Sequence, residues 1–252
     1  MTRSQWRRVA IALIGLMHLP VIHACAQDEG GTATIPIPRE EAYWQGLHKE
    51  DVDRAKQGGV DLLFLGDSIT QGWMENDTWN RYYGSRNAAN FGIGGDCTQH
   101  VLWRLQNGAI DGISPKAVVL MIGTNNIGQN SAQEIAAGIK RIVTLLRAKL
   151  PETKILLLGI FPRGKTRIKD IPRDTLDPRP AEVNTLIQPL HDGKNVFYLD
   201  ISKSFLDEHD EVPKYLMPDF LHLSPAGYEV WADAIEPSLW KLLDGDKTIK
   251  KP

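Results

Sequence analysis

Residues 60–70 read VDLLFLGDSIT, an apolar run that stops at Gly66 and passes directly to an acid and a hydroxyl. Unbroken apolar character over so short a stretch fits a strand buried on both faces, as in a parallel sheet. Such a strand ending in Gly-Asp-Ser sets Ser68 at the carboxyl edge of the sheet, where α/β proteins place their chemistry. Ser68 is therefore the first candidate nucleophile. The same three residues also suit an ordinary strand-to-helix turn, with Gly for the bend and Ser or Asp as N-cap, so the assignment depends on partners elsewhere in the chain.

Outward from this strand, short apolar segments and amphipathic ones alternate. Strands are expected at 60–66, 87–91, 117–122, 154–160 and 195–200, and helices at 39–57, 74–83, 98–107, 131–149, 179–191 and 225–242. The segment from Ser131 is the clearest helix, with Ile135, Ile139, Ile142, Val143 and Leu146 on one face and Ser131 with Glu134 as a capping box. Trp103 and Trp231 are expected to be core anchors, and Pro237 to kink or end the last helix. Alternation of this kind, with right-handed crossovers, gives an α/β fold: a three-layer α/β/α sandwich around a five-stranded parallel sheet.

A serine hydroxyl is a weak nucleophile unless a base lies within hydrogen-bond reach and a third group fixes the base's tautomer. The segment MPDFLHLSPAG, 217–227, offers both, with Asp219 three residues before His222 on a loop that enters a helix at Ser224 and Pro225. His222 is the candidate base and Asp219 its orienting acid; read blandly, the pair is a loop histidine and a solvated carboxylate.

Cleavage of an ester passes through an oxyanion that needs preorganised donors. Two loops at strand ends supply them. One is NFGIGGDCT, 90–98, whose Gly94 and Gly95 let backbone N–H groups approach a ligand; the other is MIGTNN, 121–126, whose Asn125 or Asn126 would project over the same edge. Gly92 and Gly94 open a G-x-G-x-x-G pattern, but Cys97 stands where its third glycine belongs, and no P-loop pattern occurs. A metal site is not expected, because there is no His-Glu-x-x-His run and Cys97 is read as lacking a second ligand at metal spacing. The chemistry calls for no cofactor.

GDS at 66–68, GGD at 94–96, GTNN at 123–126 and DFLH at 219–222 stand in the order of the four blocks of the SGNH hydrolases, the GDSL esterases and lipases. The chain resembles that family over about residues 60–243, and within it the run NFGIGGDCTQHVLWRLQNG, 90–108, is similar to the catalytic subunits of platelet-activating factor acetylhydrolase type Ib. The resemblance implies a flavodoxin-like sheet, Ser68 as nucleophile, His222 as base and Asp219 as its acid. It also implies an oxyanion hole made by the N–H groups of Ser68 and Gly95 with the Asn125 side chain. The expected activity is hydrolysis of short-chain acyl esters, acetyl above all, of carbohydrates or small lipids. A lysophospholipase or thioesterase of the same family is the alternative, and outside it a non-catalytic cell-surface binding module or a flavodoxin-like nucleotide binder.

The chain of 252 residues, 42% hydrophobic and 24% charged, has the length and composition of one enzyme domain, taken as 39–252. Residues 1–26 read as a signal peptide: Arg3, Arg7 and Arg8 precede an apolar run, Val9 to Leu19, too short for a membrane span, and Ala24-Cys25-Ala26 forms an A-x-A cleavage site. Export to the periplasm or the exterior is expected; lipidation of Cys25 is the less favoured alternative. Residues 27–38 read as a linker, and the Pro- and Arg-rich stretch 163–180 as a solvated loop. After signal removal 26 basic residues face 31 acidic ones, a net charge of −5, which points away from nucleic acid as a partner. The expected partner is a small-molecule ester, and a homodimer is left open.

Overall fold

The computed structural model describes residues 31–164 and 175–244. The signal segment and residues 165–174 of the Pro- and Arg-rich stretch lie outside the described residues.

Five strands, β1 (Leu62–Gly66), β2 (Ala88–Gly92), β3 (Ala117–Met121), β4 (Lys154–Leu158) and β5 (Val196–Leu199), form one parallel sheet in the order β2-β1-β3-β4-β5. This is the flavodoxin-like order, with its switch point between β1 and β3. Gly66 pairs with Gly92 of β2 on one side and Met121 of β3 on the other. The chain therefore leaves the sheet at one level after all three strands, and the GDS, GGD and GTNN loops share one edge.

Seven α-helices are described: α1 (Ala42–Lys56), α2 (Ser68–Gln71), α3 (Asp77–Tyr83), α4 (Thr98–Gln106), α5 (Ala132–Lys149), α6 (Arg179–Ile187) and α7 (Pro225–Asp244). The pleat sorts the strand side chains between two cores. Leu63, Leu65, Val118 and Leu120 pack with Val101 and Leu105 of α4 and with Ile135, Ile139 and Ile142 of α5. Leu62, Phe64, Val119 and Met121 pack with Trp73, with Tyr83 of α3 and with Trp231 and Ile235 of α7. Every residue of β1 and β3 is buried, whereas β2, at the sheet margin, alternates.

All the expected strands form, and α5 starts at the Ser131–Glu134 capping box. Departures have local causes. The stretch expected as a helix over 74–83 is a 3₁₀ turn, Gly72–Glu75, followed by α3, because the Asn76 side chain caps a new start by accepting from Thr78 N. Likewise α6 gives way to a 3₁₀ turn at Gln188–Leu190. Pro237 lies within α7, which runs on to Asp244. Trp231 is fully buried, while Trp103 is half-buried and packs on Trp44 and His48. Residues 31–38, read as linker from their composition, are pinned to the domain: Thr98 Oγ1 donates to Ala33 O, Asn130 Nδ2 to Thr32 Oγ1, and Ile37 N to Gln99 O.

Candidate active site

Ser68 is the first residue of α2, and Asp67 caps that helix through a 3.0 Å bond from Ile69 N to its Oδ1. Asp67 is thus the N-cap of the two residues that sequence allowed. The turn requires glycine before it: a Cβ on Gly66 would fall 2.4 Å from Met121 O of the neighbouring strand. Burial pushes the Asp67 carboxyl up to about 7, only partly countered by the Ile69 N–H.

His222 arrives from the loop before α7, 154 residues away in sequence. Its Nε2 stands 3.0 Å from Ser68 Oγ, and its Nδ1 stands 2.7 Å from Asp219 Oδ2. Asp219 Oδ1 also accepts from the N–H groups of His222 and Leu221. Burial raises the Asp219 carboxyl, but the hydrogen bonds from His222 and Leu221 outweigh it and hold the group below its ordinary value. Phe220, between the two, adopts a left-handed φ of 60°. Ser224 Oγ accepts from Gly227 N at the start of α7, as its capping position predicts.

The donor loops divide cleanly. Both N–H groups of the Asn126 side chain are spent on Gln99 and Asn130, and its Oδ1 accepts from Thr98 N, so Asn126 ties two loops together inside the fold. Asn125 is half-buried and gives one N–H to Asp96 O, leaving the other. Gly94 N is held by Gln71 Oε1 at 2.8 Å, whereas the N–H groups of Ser68 and Gly95 make no hydrogen bond among the described residues. The three donors named from the resemblance are thus the uncommitted ones. Around Ser68 and His222 lies an open cleft of about 490 Å³, walled by Tyr43, Gln71, Glu75, Leu223 and Tyr228. A larger cavity of about 680 Å³, beyond the ends of β4 and β5, contains none of these residues.

Beneath the GGD loop lies a buried ionic cluster. Arg104 of α4, fully buried, donates to Asp96, to Asp51 of α1 and to the carbonyls of Gly66 and Phe91. Trp44 Nε1 donates to the other Asp96 oxygen at 2.6 Å. One guanidinium faces two buried carboxylates; burial, aided by Asp96, pushes Asp51 up to about 7 in spite of Arg104. Neither Arg104 nor Asp51 was named from sequence. The available signal was Arg104 one position from Leu105 and three from Val101, a charge on the apolar side of α4.

Cys97 does have a histidine three residues on, contrary to the expectation, but His100 Nδ1 accepts the Cys97 N–H and so caps α4. Burial first, then Asp96 and Asp67, push the Cys97 thiol up to about 12. The stretch 163–180 is more than a solvated loop at its described ends. Arg163 Nη1 donates to Thr124 O, Gly164 N donates to Phe220 O, and Asp177 N closes back on Arg163 O, so this stretch joins the GTNN loop to the DFLH loop.

Residues 64–230 match the GDSL-like Lipase/Acylhydrolase family model. The chain belongs to that family. The alpha2 subunit of platelet-activating factor acetylhydrolase IB from Rattus norvegicus is 37% identical over 224 residues, covering 87% of this chain and 95% of the relative. The alpha1 subunit from Homo sapiens is 34% identical over 224 residues, covering 87% and 94%. Among solved structures, a GDSL-like lipase from Bacteroides thetaiotaomicron superposes with a TM-score of 0.62 at 19% identity, covering 79% of this chain and 98% of that one. A carbohydrate esterase family 3 protein from Talaromyces cellulolyticus gives 0.57 at 20% identity, covering 75% and 100%. At these identities the structural likeness is one of fold. Membership and the acetylhydrolase relatives make the chain a hydrolase of carboxylic esters. No described helix is long and apolar enough to cross a membrane.

Proposed function

We propose that the protein is an exported serine esterase that removes short acyl groups, acetyl first, from esters of carbohydrates or small lipids. The observation that carries the mechanism is the relay of Ser68 Oγ, 3.0 Å from His222 Nε2, with His222 Nδ1 2.7 Å from Asp219. His222 takes the Ser68 proton as Oγ bonds to the ester carbonyl carbon, and the carbonyl electron pair moves onto oxygen. The N–H groups of Ser68 and Gly95 and the free N–H of Asn125 stabilise that oxyanion. The intermediate collapses, the C–O bond to the alcohol breaks, and the alcohol leaves with the proton from His222. Water, deprotonated by His222, then attacks the acyl-enzyme and releases the acid and Ser68. Asp219, ionised and hydrogen-bonded, keeps Nδ1 protonated and Nε2 free to accept.

Three things support the short-acyl preference: the acetylhydrolase relatives, the modest cleft, and the solvent-exposed Tyr43 ring at its rim, a surface on which a sugar or small alcohol can stack. Export rests on residues 1–26 and their A-x-A site. A p-nitrophenyl ester series from acetate to decanoate tests the substrate class. We expect kcat/KM to peak at two to four carbons, by rough analogy with acyl pockets that discriminate per methylene; a maximum at eight carbons or more, again a rough boundary, would give the lysophospholipase or thioesterase alternative precedence.

A further inference from the structure

Arg39 stands outside the four motif blocks and outside the segment matched by the family model, yet its guanidinium reaches the Gly94–Gly95 peptide. Its Nη1 donates to Gly94 O at 2.7 Å, while Nε and Nη2 bond to Glu41 and Nη1 also lies 3.9 Å from Asp96. No cis peptide is present among the described residues. In a trans peptide the C=O and the following N–H point in opposite directions. The Gly95 N–H therefore points away from Arg39.

The other side of the loop belongs to the nucleophile's helix. Gly94 N donates to Gln71 Oε1, and a Cβ built on Gly94 would sit 3.8 Å from Ser68 Cβ. Gly95 adopts a φ of 80°, and a Cβ there would come within 2.8 Å of Arg39 Nη1. A side chain at this position would thus displace the guanidinium from the peptide. Arg39 thus holds the loop from one side and Gln71 from the other.

We propose that Arg39 is a positioning residue for the esterase reaction: it aims the Gly95 N–H at the developing oxyanion and, by hydrogen-bonding the carbonyl of the same peptide, strengthens that N–H as a donor. The physical basis is that bonded dipoles polarise one another and that donors fixed in advance pay no reorganisation during reaction. This role rests on the serine-esterase mechanism proposed above.

The test uses the purified full chain with Arg39→Met, which keeps the apolar stem and removes every donor, and Arg39→Lys, which keeps the charge. Complete loss of an oxyanion donor costs about 10²–10³ in kcat, so a donor left in place but misaimed should cost roughly 10–100-fold. Arg39→Met should lower kcat by that factor with KM within about twofold, since the effect falls on the transition state alone. The inhibition constant of a trifluoromethyl ketone, whose serine adduct carries the oxyanion, should rise by the same factor, and Arg39→Lys should recover part of both. If Arg39→Met melts below the assay temperature, the matched smaller losses in kcat and inhibitor affinity are read from Arg39→Lys. Unchanged kcat, or a loss of kcat with unchanged inhibitor affinity, overturns the positioning role. A wild-type protein without Ser68-dependent turnover overturns the mechanism itself and this role with it.

Discussion

Replacing Arg104 with methionine should be among the most damaging single changes in the chain. Arg104 is fully buried and donates to Asp96, Asp51, Gly66 O and Phe91 O, so its loss leaves Asp51 without its countercharge and Asp96 with only the more distant Arg39 under the GGD loop. Breaking one side of a buried ion pair costs about 3–5 kcal/mol, which for a domain of this size lowers the melting temperature by roughly 6–20 °C. The effect should depend on pH through Asp51, whose folded-state pKa of about 7 exceeds its ordinary 3.8. Between those values the folded state keeps a proton that the unfolded chain releases, so stability falls as pH rises through the window. Without Arg104 the carboxyl is pushed higher still, the window extends upward, and the penalty grows. Urea unfolding at pH 5.5 and 8.5 should therefore show a larger loss at pH 8.5, and adding Asp51→Asn should restore part of it there. A loss below about 1 kcal/mol, typical of a surface pair, or an equal loss at both pH values, would refute the assignment of this cluster as the loop's support.

Other predictions concern the site directly. Asp219→Asn removes the carboxylate that fixes the His222 tautomer and should lower kcat by about 10²–10⁴, measured on p-nitrophenyl acetate. Because its folded-state pKa is depressed, the Asp219 contribution to stability should be present at neutral pH and vanish as pH falls below its ordinary value, which acid titration of the wild type against Asp219→Asn will reveal. Gly66→Ala would drive a Cβ against Met121 O; we expect a loss of about 1–3 kcal/mol in stability together with reduced kcat. Cys97, buried and with its thiol pushed up to about 12, should resist iodoacetamide at pH 8 in the native protein and react after unfolding, as read from the mass of its peptide.

The fold was legible because the decisive signals are local and redundant. Four successive large apolar residues in β1, Ala-Val-Val-Leu-Met in β3 and the capped apolar stripe of α5 each specify one element, and their alternation leaves few topologies. Part of the candidate site was legible for a similar reason: Ser68, the glycine loop and the GTNN loop each follow a strand, so the strand pattern brings them to one edge, while the resemblance singled out Asn125 and supported Asp219 and His222. Hydrogen-bond accounting separates Asn125 from Asn126, since only the Asn125 amide has an N–H to spare.

What was not legible depends on long-range pairing. A lone arginine in a helix reads as solvated, and Arg104 becomes a core residue only because Asp96, from the loop before α4, and Asp51, from the distant α1, both meet it. Residues 31–38 read as linker because glycine and proline content signals backbone freedom, whereas their position is fixed by side chains of α4 and the loop before α5. Arg163 was hidden in a stretch whose composition is that of a solvated loop, and its partners include the Thr124 carbonyl, which no sequence pattern records.

The most direct test of the central claim is kcat/KM for p-nitrophenyl acetate with the wild-type protein, Ser68→Ala and His222→Ala side by side. The account predicts turnover by the wild type and a loss on the order of 10³ or more in each variant, with an acetyl group trapped on the Ser68 peptide of the wild type at early times. Wild-type rates in Ser68→Ala, or an acetyl group found on another residue, would contradict it.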